Sequence, residues 1–433
     1  MDLTRPDLPR PDRPRPDDVT RPDPTSPEPT RPDLARPAEI CLVGLSAPGH
    51  VFPCLGLARE LVDRGHRVAY AVTERFAATV AATGAEPLLC PETLPLDTDL
   101  AALASDPVKL TTLLFEESVA ALPSLLEHYG RGGAAAPELV LHDSGAYAGV
   151  VLAHRLGVPA VQLATHMITE DWSDADGGAQ SAVFTSEAAR SYAARFREWL
   201  TANGMPDTSP DDLDRPRRAL ALVPSAMQPD VGSLDPAVYS FVGAGPDGRV
   251  GRERWSRPAD AEQVVLVSLG SGFTRRPHVY RACVEAFGGR PGWHVVLQIG
   301  RHVLLEELGE LPGNVETHDW VPQAAVLAEA DLFVTHAGMG GSQEGLAFGV
   351  PMVAVPQALD QFDNADRLCA LGVARRLDNQ AFTARALRRA AGELLDDPAM
   401  PARLAALRAA VRADGGPRRA ADLVEREVAA VRG

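Results

Sequence analysis

A glycine-rich segment in the C-terminal half most constrains the fold of this chain. Residues 332–335 form an apolar run, residues 336–342 read His-Ala-Gly-Met-Gly-Gly-Ser, and a helical pattern follows. Small residues between a strand and a helix let backbone N–H groups approach an anion, and the helix N-terminus adds a partial positive charge. His336 can donate a hydrogen bond to a phosphate oxygen, and Glu344 can accept from ribose hydroxyls. The segment therefore predicts a site for a nucleoside diphosphate.

Short apolar runs that alternate with helical patterns predict parallel strands joined by crossover helices. The first half of the chain has such runs at residues 40–45, 67–72, 138–142 and 158–163. The pattern restarts later, with runs at residues 264–269, 293–299, 315–318, 332–335 and 352–355. The sequence therefore predicts an α/β protein with two open parallel sheets. Ligands of such sheets bind beyond the carboxyl ends of the strands, so the cleft between the sheets is the predicted site.

The predicted organisation has five parts. Residues 1–37 contain eleven prolines and form a Pro-, Arg- and Asp-rich tail, which we expect to be disordered because it cannot bury enough apolar surface. An N-terminal α/β domain covers residues 38–242, and a linker marked by Pro and Gly covers residues 243–258. A C-terminal α/β domain covers residues 259–415, and a final helix covers residues 416–433.

The composition is typical of a globular protein of the cytoplasm. A formal net charge of −16 argues against nucleic acid and anionic membrane as partners, because both attract basic surfaces. No apolar run is long enough to span a bilayer. The five cysteines are scattered and include no C-x-x-C pair, which favours reduced thiols over a disulfide framework.

Two polar residues that follow predicted strands form the candidate catalytic pair. His50 lies between the first strand and the first helix, and Asp143 follows the apolar run at residues 139–141. Both are therefore expected at the carboxyl edge of the N-terminal sheet. A histidine oriented by a buried carboxylate can take the proton of a hydroxyl group. A helix N-cap is the structural alternative for Asp143, and that role is compatible with orienting His50.

Residues 319–323, 336–344 and 351–361 together resemble the nucleotide-sugar signature of inverting glycosyltransferases with the GT-B fold. The pattern is most similar to the bacterial macrolide glycosyltransferases that use UDP-glucose, and the similarity runs from about residue 40 to the C-terminus. The resemblance implies two Rossmann-like, doubly wound domains that face a central cleft, with the last helix packing back on the N-terminal domain. It also implies that His50 is the base and that Asp143 is its partner.

The same resemblance implies a donor site made largely by the C-terminal domain. A tryptophan stacks on uracil, a glutamine and a glutamate hold the ribose, a histidine contacts the diphosphate, and an Asp-Gln pair binds the sugar hydroxyls. The corresponding residues are Trp320, Gln323, Glu344, His336, Asp360 and Gln361. Loop residues that can offer backbone or hydroxyl groups complete the predicted donor set: Ser271, Val321, Gly338, Gly340, Gly341 and Ser342. Core packing is the structural alternative for the tryptophan, and a helix cap is the alternative for the aspartate.

Neither a cofactor nor a metal is predicted, and UDP-glucose is expected as a co-substrate. Metal-dependent transferases hold Mg²⁺ on the diphosphate with acidic pairs, but the donor loop contains no D-x-D string. The helix N-terminus and His336 can stabilise the leaving UDP instead. The D-x-D strings at residues 97–99, 174–176 and 212–214 are interpreted as solvated loops.

The acceptor pocket is less clearly marked in the sequence. Loops within residues 76–125 and 147–172 are expected to form an apolar cavity for a hydrophobic small molecule, such as a macrolide or a phenol. The candidate lining residues are Phe115, Tyr147, Met167 and Trp172. Ordinary core packing is an equally good interpretation of each of them.

These features together predict a transferase that moves glucose from UDP-glucose to a hydroxyl of a hydrophobic natural product. The resemblance implies a macrolide acceptor and self-resistance by inactivation of the antibiotic. Three alternatives stay open: a TDP-deoxysugar transferase, a nucleotide-sugar epimerase with the same fold, and a non-catalytic binding protein. Asp360 and Gln361 argue against the first, because a deoxysugar offers fewer hydroxyls to that pair.

Overall fold

Two parallel sheets, each covered by helices, make up the described part of the protein. The computed structural model describes residues 36–95, 106–130, 135–168, 186–245, 254–272 and 274–433. No helix within those ranges is long and apolar enough to cross a membrane. Nearly all of the predicted tail, residues 1–35, lies outside the described residues.

The N-terminal sheet has seven parallel strands in the order β3-β2-β1-β4-β5-β6-β7. The strands are β1 (Glu39–Val43), β2 (Arg67–Val72), β3 (Glu86–Leu89), β4 (Leu139–Asp143), β5 (Ala160–Ala164), β6 (Ala219–Ala221) and β7 (Tyr239–Phe241). The helices of this half are α1 (Pro48–Asp63), α2 (Glu74–Ala81), α3 (Pro107–His128), α4 (Tyr147–Leu156), α5 (Glu187–Ala202) and α6 (Pro210–Leu213). Chain order reverses between β1 and β4, which makes that position the topological switch point.

The C-terminal sheet has six parallel strands in the order β10-β9-β8-β11-β12-β13. The strands are β8 (Gln263–Ser268), β9 (Trp293–Gln298), β10 (Val315–His318), β11 (Leu332–Thr335), β12 (Met352–Ala354) and β13 (Ala374–Arg376). The helices are α7 (Pro277–Phe287), α8 (Gln323–Leu327), α9 (Met339–Phe348), α10 (Gln361–Ala370), α11 (Ala384–Leu395), α12 (Met400–Ala413) and α13 (Gly416–Arg432). The two doubly wound sheets confirm the predicted fold class. The linker predicted over residues 243–258 falls between β7 and β8, and residues 246–253 lie outside the described part.

The strands are apolar because helices cover both faces of each sheet. Every residue of β4 is buried, and so is every residue of β11. Burial of this kind contributes about 25 cal/mol for each Å² of apolar surface removed from water. The central strands therefore fix the positions of the polar residues that follow them.

The two halves share packing at the base of the cleft. Met227 and Phe241, from the N-terminal half, belong to the apolar core of the C-terminal sheet. The guanidinium of Arg367 donates two hydrogen bonds to the carbonyl oxygen of Ala226, at 2.9 and 2.7 Å. These contacts hold the carboxyl edges of the two sheets in one arrangement.

The last helix, α13, packs against α1 of the N-terminal half through a buried ionic cluster. Arg64 donates to Asp422 at 2.6 Å and to Glu425 at 3.0 Å. His66 Nδ1 accepts from the backbone N–H of Ala38 at 3.1 Å, and its Nε2 lies 3.0 Å from the second carboxylate oxygen of Glu425. Because Nδ1 accepts, Nε2 carries the proton and donates to Glu425. Glu425, on α13, therefore accepts hydrogen bonds from two side chains of the N-terminal half, Arg64 and His66.

We predict that Glu425→Gln lowers the free energy of unfolding by about 2–3 kcal/mol, because one amide oxygen cannot replace two buried carboxylate oxygens. Denaturant unfolding measures this loss. Glu427→Gln is the matched control, since Glu427 lies on the same helix and pairs with Arg218 while 34% of its side chain stays exposed. The control should change stability by less than about 1 kcal/mol. Equal losses in the two variants would contradict this account of α13.

Candidate active site

A hydrogen bond between His50 and Asp143 lies at the carboxyl edge of the N-terminal sheet. Asp143 is the last residue of β4 and is fully buried, whereas His50 lies in the first turn of α1 and keeps 30% of its side chain exposed. The Nδ1 atom of His50 is 2.6 Å from the Oδ2 atom of Asp143. Because Nδ1 faces the carboxylate, Nε2 is the nitrogen left to take a proton from a substrate hydroxyl.

The surroundings of His50 strengthen it as a base. Burial disfavours the imidazolium, but the charge of Asp143 and its hydrogen bond outweigh that effect, so the pKa of His50 is raised. The carboxyls of Glu117 and Asp360 act in the same direction. His142 contrasts with it, because burial lowers the pKa of His142 to about 4. That neighbour is therefore a neutral packed group, and His50 is the basic one.

Three polar residues that the sequence analysis missed complete the surroundings of Asp143. The Thr165 hydroxyl lies 3.4 Å from Asp143 Oδ1 and 3.2 Å from His50 Nδ1. The Ser144 hydroxyl lies 3.3 Å from the same carboxylate oxygen and 2.9 Å from His166 Nε2. Their sequence signal was position, since Ser144 directly follows β4 and Thr165 and His166 directly follow β5. Parallel strands bring such residues to one edge.

The glycine-rich loop lies at the matching edge of the C-terminal sheet, between β11 and α9. The ring of His336 fits between two glycines, because a Cβ added at Gly270 would lie 2.5 Å from the ring and one at Gly338 would lie 2.4 Å from it. Ala337 adopts a left-handed conformation with φ of 61°, and its N–H donates to Thr335 Oγ1 at 3.1 Å. The loop is therefore a tight turn that leads directly into the N-terminus of α9.

Buried polar atoms in this loop are consistent with an anion site. Burial lowers the pKa of His336 to about 4, so the ring is neutral near pH 7 and acts as an N–H donor rather than a cation. His336 Nδ1 and the hydroxyl of Ser342 are both buried and have no hydrogen-bond partner within the described ranges. Gly341 packs its backbone against Thr335, where an added Cβ would lie 3.2 Å from the hydroxyl. Gly340, in the first turn of α9, and Ser271, in the loop after β8, are both exposed.

An exposed tryptophan and a polar pair form the rest of the predicted nucleoside site. Trp320 keeps 45% of its surface exposed, and its ring meets Phe52 of α1 edge-on at a centroid distance of 6.2 Å. Val321 is buried and donates its N–H to the side chain of Gln298 at 3.1 Å. Gln323 donates a hydrogen bond to Glu344. The contact with Phe52 places the tryptophan at the cleft, which disfavours its interpretation as core packing.

The Asp-Gln pair at the start of α10 is more constrained than the sequence suggested. Asp360 accepts from Asn364 Nδ2 at 2.9 Å, and burial raises the pKa of its carboxyl while the charges of His50 and His166 oppose that shift. The Oε1 atom of Gln361 accepts from the backbone N–H groups of residues 357 and 358, at 2.8 and 3.2 Å. The amide NH₂ of Gln361 is therefore the part of that side chain left for a sugar.

No group of three or more His, Cys, Asp or Glu side chains in the described parts of the chain is arranged to hold a metal ion. The site combines an oriented histidine at the edge of one sheet with a helix N-terminus and neutral donors at the edge of the other. Such an arrangement can deprotonate a hydroxyl while it stabilises a leaving anion.

The sequence is similar to those of known glycosyltransferases. Residues 293–426 match the family model "Erythromycin biosynthesis protein CIII-like, C-terminal domain". Oleandomycin glycosyltransferase of Streptomyces antibioticus is 49% identical over 91% of this chain and 92% of its own length. NDP-glycosyltransferase YjiC of Bacillus licheniformis is 33% identical over 89% of this chain and 97% of its own length. The chain belongs to the GT-B glycosyltransferases.

Solved structures agree with this assignment. The structure described as the glycotransferase of kitacinnamycin is 43% identical, covers 90% of this chain and 99% of its own, and superposes with a TM-score of 0.83. The calicheamicin glycosyltransferase CalG4 is 31% identical, covers 92% and 100%, and gives a TM-score of 0.76. These relatives decide between the enzyme classes left open above, since they are named glycosyltransferases rather than epimerases or binding proteins.

The structure corrects part of the predicted acceptor set of this glycosyltransferase. Phe115 is only 2% exposed and packs against Phe196 at a centroid distance of 4.6 Å. Tyr147 packs against the same ring at 4.8 Å. Phe115 is therefore a core residue packed between α3 and α5, whereas Tyr147 is partly buried beside the same core and its acceptor role stays a prediction. Met167 is half-buried and packs against the core of the C-terminal sheet, while Trp172 lies outside the described residues.

We predict that Gly338→Ala weakens UDP binding by this glycosyltransferase at least tenfold, or about 1.4 kcal/mol, because the added methyl group displaces the His336 ring. Calorimetric titration with UDP measures the change. Gly313→Ala is the control, since a Cβ added at Gly313 meets nothing within 4 Å. Unchanged UDP affinity in Gly338→Ala would show that His336 is not part of the diphosphate site.

Proposed function

We propose that this glycosyltransferase moves glucose from UDP-glucose to a hydroxyl of a macrolide or similar hydrophobic natural product, with inversion at the anomeric carbon. The observation that carries the proposal is the 2.6 Å hydrogen bond between Nδ1 of His50, in the first turn of α1, and the buried carboxylate of Asp143. Asp360, at the start of α10 in the C-terminal half, interacts with His50 electrostatically, which supports a single site for donor and acceptor.

The proposed reaction is one direct displacement. The acceptor hydroxyl gives its proton to Nε2 of His50 while its oxygen forms a bond to the anomeric carbon of the donor. The bond between that carbon and the diphosphate oxygen breaks, and the electron pair leaves with UDP. Asp143 holds the imidazole in the required tautomer and stabilises the imidazolium that forms. General-base assistance of this kind contributes about 10²–10⁴ in rate.

The leaving diphosphate is proposed to be stabilised without a metal ion. The N-terminus of α9 offers backbone N–H groups and a partial positive charge. Neutral His336 adds an N–H donor, and the buried hydroxyl of Ser342, which has no partner among the described residues, is a further candidate. Binding of the diphosphate would favour the protonated form of His336, because an adjacent negative charge raises the pKa of an imidazole.

The preference for glucose rests on the residues at the start of α10. Asp360 and the amide of Gln361 offer one acceptor and one donor group to sugar hydroxyls, and a hexose with all its hydroxyls uses both.

The proposal of a macrolide acceptor rests on the 49% identity with oleandomycin glycosyltransferase. Glucosylation adds bulk and polarity to such a compound, so we propose inactivation of an antibiotic as the biological role. The five free cysteines are compatible with a reducing cytoplasm.

A transferase that uses a TDP-deoxysugar is the second candidate. Demethyllactenocin mycarosyltransferase of Streptomyces fradiae is 31% identical over 90% of this chain and 86% of its own length. A tryptophan face stacks on thymine as well as on uracil, so Trp320 does not distinguish the two donors. The donor preference is therefore the first property to measure.

Mass spectrometry of products should show a hexose added to a macrolide when UDP-glucose is the donor, with or without EDTA. TDP-deoxysugars should give at least tenfold less product. A reversed donor preference would support the second candidate, and loss of product in EDTA would contradict the metal-independent mechanism.

The variant His50→Ala should lose transfer by about 10²-fold or more and bind UDP with unchanged affinity, because the side chain of His50 hydrogen-bonds to Asp143 and Thr165 and not to the diphosphate loop in the described structure. His154→Ala is the control, since His154 is exposed and its Nε2 atom lies 3.0 Å from the carbonyl oxygen of Gly204. Retained transfer by His50→Ala would contradict the mechanism.

A further inference from the structure

A second buried carboxyl group lies beside the candidate catalytic pair. Glu117 is on α3 and is only 6% exposed. Its Oε1 atom accepts a hydrogen bond from the backbone N–H of Ser46 at 2.7 Å. Its Oε2 atom is buried and has no hydrogen-bond partner in the described part of the chain. A half-satisfied buried carboxylate is destabilising, so its presence calls for a function.

The contact with Ser46 links Glu117 to the segment that carries the candidate base. Ser46 follows β1 and precedes α1, whose first turn contains His50. The hydroxyl of Ser46 in turn accepts from the backbone N–H of Thr73, at 3.3 Å, after β2. Glu117 therefore fixes the turn from which the imidazole projects, and it does so from a different helix.

The charged and titratable groups around Glu117 come from several elements. Burial raises its pKa to about 7, with the hydrogen bond from the Ser46 N–H and the charge of His50 opposing the shift and the charge of Asp143 adding to it. Cys90, which follows β3, also interacts with it electrostatically. Across the cleft, Asp360 acts on the same imidazole.

We propose that Glu117 is a positioning residue for His50, holding its turn through Ser46 and providing a second buried negative charge for the imidazolium that forms during transfer. This inference rests on the proposed role of His50 as the base. When the proton moves from the acceptor oxygen to His50, the imidazolium gains two carboxylate neighbours, Asp143 in direct contact and Glu117 behind the turn. Because the pKa of Glu117 is about 7, this second charge is present near and above that pH, where it stabilises the protonated base and thereby increases its basicity.

The test is the pH dependence of kcat/KM for the acceptor in the variant Glu117→Gln. The amide keeps an oxygen for the Ser46 N–H but removes the charge. Activity requires neutral His50, so the rate rises as pH rises through its pKa. Loss of a negative neighbour lowers that pKa, so the acid limb of the profile should move to lower pH. The maximal kcat should fall by roughly 3- to 10-fold, because the base is weaker.

Glu116→Gln is the matched control. Glu116 adjoins Glu117 on α3 but pairs with Arg195, and 36% of its side chain is exposed. Its profile should coincide with that of the unmodified protein, and UDP affinity should be unchanged in both variants. An acid limb of Glu117→Gln that coincides with the control would overturn the proposal, since a purely structural role would not move it.

If Glu117→Gln does not fold, the variant Glu117→Asp tests the same role of Glu117. That variant keeps the charge and shortens the reach to Ser46, so kcat should fall while the acid limb stays near its original position. An acid limb displaced to lower pH, or an unchanged kcat, would overturn the proposal.

The variant His50→Ala separates the role of Glu117 from the proposed mechanism. If His50→Ala retains transfer, the mechanism fails. If His50→Ala is inactive while Glu117→Gln behaves as the control, only the role of Glu117 fails.

Discussion

The hydrogen bond between His50 and Asp143 is the interaction on which the proposed chemistry depends. It exists because β1 and β4 are neighbours in the sheet, with Val43 paired to His142, so that the residues after the two strands meet at one edge. Asp143 is buried with the rest of β4, and the 2.6 Å contact leaves one imidazole nitrogen of His50 for a substrate. The fold supplies the orientation through two buried strands, which is a more rigid support than loops would give.

The two sheets contribute different parts of one site. The N-terminal half carries the proposed base, and the C-terminal half carries the glycine-rich turn, the helix N-terminus and the Asp-Gln pair. Their switch points, between β1 and β4 and between β8 and β11, both carry the candidate residues, as expected for ligands of doubly wound sheets. The contacts of Arg367 with Ala226 and of α13 with α1 join the halves, and Phe52 reaches Trp320 across the cleft. These contacts connect the predicted donor residues with the proposed base through the interface between the halves.

The buried central strands and the pair formed by His50 and Asp143 were predictable from the sequence. Several short strands and the residues that surround the pair were not. The strands β3, β7 and β13 are short and partly exposed, so their apolar patterns are incomplete, and β6 has only three residues. Glu116 and Glu117 are adjacent and look alike in the sequence, and only the packing of α3 shows that one is exposed and the other buried. Phe115 was misassigned for the same reason, since a periodic helix pattern does not show which face meets a cavity. Gln361 was recognised, but its hydrogen bonds to the backbone of residues 357 and 358 depend on tertiary structure.

The central claim is that His50 activates the acceptor for one direct displacement at the anomeric carbon. The configuration of the product tests it most directly. After incubation with UDP-glucose, whose anomeric linkage is α, the coupling constant of the anomeric proton in the NMR spectrum of the purified product distinguishes the two outcomes. The account predicts a large coupling, which identifies the β-glucoside formed by inversion. A small coupling, which identifies the α-glucoside, would contradict a direct displacement and with it the proposed role of His50.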